Sequence, residues 1–182
     1  MLLENKRVAI VGGGMGGLML ARLLQIQNIK VKVYERDLNA EIRVQGSPLD
    51  LHEDSGLLAM KKANLLDKFY QNVRPNTSKA RIVDQNFELK FDEHIMSKSV
   101  SEEIPNSKHD SLQDISKPRP EIDRSNLRTV LLNSLLPETV VWNSQFLSME
   151  KENEGWRLFF KNETSAYADL VIGADGANSK VR

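Results

Sequence analysis

Residues 7–17 read Arg7-Val8-Ala9-Ile10-Val11-Gly12-Gly13-Gly14-Met15-Gly16-Gly17. A short apolar, β-branched run that stops at glycine is the pattern of a buried parallel strand. Leu18, Ala21, Leu23 and Leu24 follow at helical spacing, and Lys30 to Glu35 alternates before ending in Arg36-Asp37. Strand, helix and strand therefore fall within residues 7–35, a β-α-β unit whose crossover is almost always right-handed.

Gly12, Gly14 and Gly17 fit the pattern G-x-G-x-x-G. Each position carries a separate demand. Gly12 permits the tight strand-to-helix turn, Gly14 lets backbone approach a pyrophosphate, and Gly17 lets the helix pack closely on the strand. The helix N-terminus adds unpaired N–H groups and a positive dipole end for the phosphates. Glycine-rich turns are common, and it is the flanking strand and helix that give this one meaning. Glu35 closes the second strand, eighteen residues after Gly17, where an acidic side chain accepts hydrogen bonds from ribose hydroxyls. A carboxylate there repels a 2′-phosphate, so the expected dinucleotide is FAD or NAD and not NADP. The plainer reading of Glu35 is a solvated charge at a strand end.

The bulk numbers exclude other classes. The chain has 182 residues, enough for one domain. Its 25 basic and 25 acidic residues cancel, which argues against a general nucleic-acid or membrane-surface binder. There is no cysteine, which rules out disulfides, zinc-thiolate sites and thiol catalysis. His52, His94 and His109 lie far apart without metal-site spacing. The first apolar run is too short for a secretory or membrane segment, so a soluble, cytoplasmic protein is expected.

Further along, residues 36–52 read as loop. A helix is predicted over 54–63, with more apolar residues at Leu65, Leu66, Phe69 and Tyr70. Strands over 80–84 and 87–91 flank Gln85-Asn86 as a hairpin. Residues 93–118 are polar and uneven, and we expect a mobile loop or insertion. A helix over 124–135 is capped by Asp123 or Ser125 and closed by Pro137. Strands recur over 140–142, 146–149 and 156–160, the last two joined across Asn153-Glu154-Gly155, and a final apolar strand runs over 168–174. Trp142, Trp156, Phe159 and Phe160 read as core on strand alternation.

That last strand leads into Asp175-Gly176-Ala177-Asn178-Ser179-Lys180-Val181-Arg182. An apolar strand, then Asp-Gly, then Ser and Arg at these offsets resembles the Asp-Gly fingerprint of the aromatic-hydroxylase family of flavoprotein monooxygenases. Within that family, three stretches look most similar to the tetracycline-inactivating monooxygenases. They are Val33-Tyr34-Glu35-Arg36 with Arg43, Leu49-Asp50-Leu51-His52, and Ile122-Asp123-Arg124-Ser125-Asn126-Leu127-Arg128.

The resemblance covers nearly the whole chain and implies an α/β, Rossmann-like FAD-binding fold of the glutathione-reductase type with a small β appendage. Residues 1–182 would form one FAD-binding domain. Gly12, Gly14, Gly17 and Glu35 would hold the ADP part of FAD, with Arg36 beside the adenosine. Arg124 and Arg128, one turn apart on one helix face, would reach toward the flavin and its phosphates. Asp50 would lie near the flavin, Arg43 would meet the docking nicotinamide cofactor, and Asp175 would touch the pyrophosphate–ribose region. Without the resemblance, Arg124 and Arg128 read as a solvated helix face and Asp50 as a turn-former.

The implied activity is NADPH-dependent insertion of one oxygen atom into a small aromatic or polycyclic substrate such as a tetracycline. The cofactor supplies that chemistry, so no catalytic side chain is expected. The family continues with a second sheet around the substrate and a Gly-Asp motif, neither of which these residues contain. We therefore expect a C-terminally truncated chain, inactive or poorly active alone, with one sheet face uncovered and open to self-association. Two rivals remain: a non-catalytic remnant or nucleotide-binding module that binds FAD weakly or not at all, and an NAD-dependent dehydrogenase. The Asp-Gly segment and the arginine-bearing helix argue against the dehydrogenase.

Overall fold

A computed structural model describes residues 3–42, 46–75, 81–92 and 120–182. The expected insertion over 93–118 and Arg43 lie outside the described residues.

The opening unit is as the sequence reads. Strand β1 (Arg7–Val11), helix α1 (Met15–Ile26) and strand β2 (Lys30–Tyr34) follow in order. Next come β3 (Leu49–Asp50), α2 (Gly56–Lys62), α3 (Leu66–Tyr70), β4 (Arg81–Val83) and β5 (Leu89–Asp92). After them run β6 (Glu121–Ile122), α4 (Arg124–Leu132), β7 (Val140–Val141), β8 (Phe146–Glu152), β9 (Gly155–Phe160), β10 (Ser165–Ala168) and β11 (Leu170–Gly173).

Four parallel strands form the main sheet in the order β11-β1-β2-β7. Strand alternation splits β1 between two cores. Val8 and Ile10 face α1, where they pack with Ala21, Val31 and Val33. Ala9 and Val11 face the antiparallel sheet β10-β9-β8 and pack with Phe146, Leu158, Phe160 and Ala168. A third cluster joins the outer side of α1 to α2, α3 and α4 around Leu18, Met60, Phe69, Ile122 and Leu131. Arg22 on α1 fastens that layer: its Nε donates to Ala63 O at 3.3 Å and its Nη1 to Ser134 O at 3.0 Å.

The expectation of an uncovered sheet face fails here. β8 to β10 fold over the face opposite α1, so β1 is buried on both sides. The edge strand β11 is more open, with Leu170 at 37% exposure. Apolar character alone does not reveal this cover, because residues 168–174 read as one continuous strand. Ala168 instead ends β10, paired antiparallel with Trp156, while Leu170 begins β11, parallel to Val8. Asp169 makes the junction. Its Oδ2 accepts Arg7 N at 2.7 Å and Arg7 Nε at 3.2 Å, and its own N–H donates to Arg7 O at 2.9 Å.

The backbone N–H of Arg7, and then its guanidinium, hold the Asp169 carboxyl below the usual aspartate range. A folded-state pKa below the unfolded one stabilises the fold above the free-aspartate range, about 3.9, and that support is lost as pH falls through the folded value. The parent's melting-temperature advantage over Asp169→Asn is therefore expected to be full at neutral pH. It should shrink below about pH 4, and thermal melts across that range check it.

Smaller departures have local causes. Asp123 is the N-cap of α4, as expected, but its side chain makes no cap bond; Oδ1 instead accepts Arg74 Nη2 at 2.7 Å and Nε at 3.1 Å. The helix stops at Leu132, short of the expected 135, where the chain tightens through Ser134 N→Leu131 O and Leu135 N→Leu132 O. The hairpin turn is also longer than read. Asp84 Oδ1 accepts the N–H groups of Asn86 and Glu88, Phe87 takes φ 63°, and the second strand starts only at Leu89. Among the described residues, no helix is long and apolar enough to cross a membrane.

Candidate functional site

The C-terminal ends of β1, β2 and β11 converge on one cleft of about 400 Å³. Open parallel sheets bind ligands at this end of their strands. The glycine turn forms its floor. Gly12 has φ +110°, and a Cβ there would overlap the carbonyl of Ala174, so no other residue fits between β1 and β11. A Cβ at Gly17 would overlap Gly12 O; its absence lets α1 start directly under the turn. Gly14 differs. Its φ and ψ of −72° and 174° suit any residue, and a Cβ there would meet nothing within 4 Å. Gly14 lines the cleft, and its bare backbone serves no packing need inside the protein.

Glu35 is 4% exposed and closes the side wall. Its Oε2 accepts the Gly13 N–H at 2.5 Å and its Oε1 the Asp37 N–H at 3.1 Å. A Cβ at Gly13 would come within 2.9 Å of Oε2, so the second glycine of the run is kept small by this carboxylate. Arg36 is exposed at the cleft rim. Asp175 stands across the cleft at the end of β11. Burial would raise its pKa, but the Ser179 hydroxyl and the backbone N–H groups of Lys180 and Val181 outweigh that, and the carboxyl is held below the usual range. Oδ2 accepts Lys180 N at 2.8 Å, and Oδ1 is buried with no hydrogen-bond partner among the described residues. This anchoring shapes the turn over Gly176 (φ +87°), Ala177 and Asn178 that forms the far wall.

The remaining wall was not legible in the sequence. Ser144, Gln145 and Phe146 line the cleft because β7 pairs beside β2 and delivers them next to Glu35; Ser144 N donates to Glu35 O at 2.7 Å. No local motif marks them. Tyr34 lines it too, stacked on Phe160 with ring centroids 4.7 Å apart. Lys180 is a lining cation within the Asp-Gly segment.

Asp50, Arg124 and Arg128 do not line this cleft. Asp50 is exposed and pairs in register with Glu121 across β3 and β6. Arg124 is half-buried, its Nε donating to Ser47 O at 2.8 Å, so the β3–β6 pair brings it beside the loop that precedes Asp50. Arg128 is 4% exposed and points into the protein, not to a solvated helix face. Trp142 and Trp156 are half-buried and Phe160 is buried, in keeping with a core role.

A parallel β-α-β unit with a glycine turn, a buried acidic strand end and a second strand delivering Asp-Gly opposite defines a dinucleotide-binding flavoprotein fold. The family model of the FAD binding domain matches residues 5–182, and the chain belongs to that family. It is 28% identical over 189 residues to the monooxygenase penA of Penicillium thymicola, covering 97% of this chain and 39% of that protein. It is 31% identical over 202 residues to the monooxygenase cfoF of Aspergillus candidus, covering 99% of this chain and 45% of that protein. A Photorhabdus luminescens protein described as an FAD-containing monooxygenase has a solved structure that superposes with a TM-score of 0.74 at 28% identity, over 97% of this chain and 41% of that one. The tetracycline destructase Tet(55) superposes with a TM-score of 0.70 at 21% identity, over 97% and 40% of the two chains, a likeness of fold. The chain thus spans less than half the length of these relatives.

The residues present fit FAD. Open space over Gly14, a buried carboxylate at Glu35 and a cleft bounded by the 175–180 turn suit an adenosine diphosphate group.

Proposed function

We propose that this chain is the FAD-holding portion of an NADPH-dependent monooxygenase acting on a small aromatic or polycyclic molecule. The observation that carries the reading is the cleft where Gly14 leaves its Cβ position empty beside buried Glu35. Gly12, Gly14 and Gly17 with the start of α1 receive the diphosphate, and Glu35 accepts from the ribose hydroxyls. Arg36 lies beside the adenosine. Asp175 orders the far turn and stays ionised, so Lys180 and the turn's N–H groups, not the carboxylate itself, meet the phosphates. Arg124 and Asp50, brought to one side of the fold by β3 and β6, stand nearer the flavin end, and Arg43 receives NADPH. Residues 1–182 act as one FAD-binding domain in the cytoplasm, where the proposed reductant is available.

Bound FAD supplies the redox chemistry. This chain's residues bind and orient it. A tetracycline is one candidate substrate, supported by the three motif stretches around Glu35, Asp50 and Arg124. Purified chain titrated with FAD tests the binding reading. Glu35→Ala is expected to weaken FAD by about 1.5–3 kcal/mol, the worth of a hydrogen bond to a charged group, or about tenfold or more. An unchanged dissociation constant would return Glu35 to a loop-holding role toward Gly13 and Asp37.

For the 182 residues alone, NADPH oxidation is expected to be slow and to yield peroxide in place of oxygenated product. Coupled oxygen transfer needs a site that keeps water out, and this chain spans 39% of the length of the monooxygenase penA. Product mass spectrometry alongside a peroxide assay checks this. Stoichiometric oxygenated tetracycline with little peroxide would place a complete substrate site within these residues.

A further inference from the structure

Arg128 lies behind the cleft and lines no part of it. Its Nη1 donates to Ala40 O at 2.6 Å, its Nη2 lies 3.8 Å from Asp37 Oδ2, and its guanidinium carbon sits 5.5 Å from the Trp142 ring centroid. These interactions reach two separate segments. One is the loop that continues the Glu35–Arg36 wall, and the other continues into the Ser144–Phe146 wall. The same two segments meet directly through Asn143 N→Asp37 O and Ser144 N→Glu35 O, both at 2.7 Å. Arg128 thus stands where both walls are joined, on a helix from a third part of the chain.

Its pairing is incomplete. Nη2 is buried with no hydrogen-bond partner among the described residues, and the ion pair to Asp37 is longer than a hydrogen bond. A buried ion pair is a poor device for stability, since replacing both partners by uncharged side chains of similar volume is often as good or better. A buried polar group left partly unsatisfied calls for another explanation.

We propose that Arg128 is a positioning residue for the FAD cleft: acting from behind, it fixes the Glu35–Arg36 wall against the Ser144–Phe146 wall without touching the coenzyme. This rests on the FAD reading above, and it differs from a direct contact to the flavin or its phosphates.

The test uses Arg128→Met, Arg128→Lys, Asp37→Asn and the Arg128→Met/Asp37→Asn double variant. Without FAD, the double variant, which removes both charges, is expected to melt close to the parent's temperature, whereas Arg128→Met alone leaves the Asp37 carboxylate buried and melts lower. The double variant should still bind FAD at least tenfold more weakly than the parent, with Arg128→Lys in between. The double variant should bind no more weakly than Arg128→Met, because both changes release one interaction. Hydrogen exchange at the Asn143 and Ser144 amides, measured without FAD, should be faster in Arg128→Met. Unchanged FAD affinity in Arg128→Met overturns the proposal, as do additive losses in the double variant, which indicate a direct contact. A double-variant melting temperature that falls together with its affinity overturns it as well, by reducing Arg128 to a fold residue. Should the parent itself bind no FAD, the coenzyme reading fails, and the exchange measurement still judges the positioning: unchanged Asn143 and Ser144 rates overturn it.

Discussion

Gly14→Val is expected to abolish FAD binding and leave the apo fold nearly as stable as the parent. The two halves of this result have separate causes. The backbone at Gly14 is extended, a region β-branched residues favour, and a Cβ there meets no atom within 4 Å. Nothing inside the protein opposes the new side chain. Outside, the valine would occupy the space over the turn where a diphosphate approaches the N–H groups that open α1. Binding weakens tenfold for every 1.4 kcal/mol of diphosphate interaction that the valine blocks, so a decrease in affinity of more than about a hundredfold is expected. FAD titration with circular dichroism and thermal melts checks both halves. A variant that retains FAD would remove the glycine turn from the site, and one that unfolds would show that the open space at Gly14 belongs to the fold.

Gly17→Ala, only three residues on, is expected to do the opposite and break the fold. A Cβ at Gly17 would overlap Gly12 O and stand 3.3 Å from the Ala174 Cβ. Both partners are fixed. Gly12 is pinned by its positive φ and by Ala174 O, and its own N–H donates to Tyr34 O at 2.9 Å. The strain cannot be relieved by a side-chain rotation, so α1 must move off β1 and β11. That would open the cluster of Val8, Ile10, Ala21 and Val33. Overpacking usually costs about 1–3 kcal/mol, and rigid backbone on the far side puts this case at the top of that range or above it. Against a total stability of about 5–15 kcal/mol, such a cost is large. Denaturant midpoints measure it, and a midpoint equal to the parent's would mean that the helix does not pack on the turn as closely as described.

These opposite expectations show how much of the glycine motif was readable. The spacing alone places Gly12, Gly14 and Gly17 in a strand-to-helix turn, and local chemistry assigns each a role. Gly13 is different: its constraint is the Glu35 carboxylate, 22 positions away, and only the packed fold reveals it. The helix of Arg124 and Arg128 gives a similar lesson. Its position and start at Asp123 follow from sequence, but i,i+4 spacing says only that the two arginines share a face. One reaches Ser47 at the edge of the fold, and the other is buried against Asp37 and Ala40. Which of them is solvated depends on where the 36–42 loop lies, and that loop has no period to read.

By itself the sequence determined the β-α-β unit, its glycine turn, the acidic end of β2 and the Asp-Gly end of the last parallel strand. Each depends on neighbours a few residues away, through backbone conformation, side-chain alternation and helix-start chemistry. Tertiary structure alone decided that β10 folds back before β11, so that an antiparallel sheet covers the face opposite α1. It also decided that β7 joins β2 and carries Ser144, Gln145 and Phe146 into the cleft. The reason is that strand pairing joins residues over a hundred positions apart, here Val33 with Val140 and Ala9 with Val171. Many partners satisfy the same apolar alternation, and the choice among them is made by how all the layers pack at once.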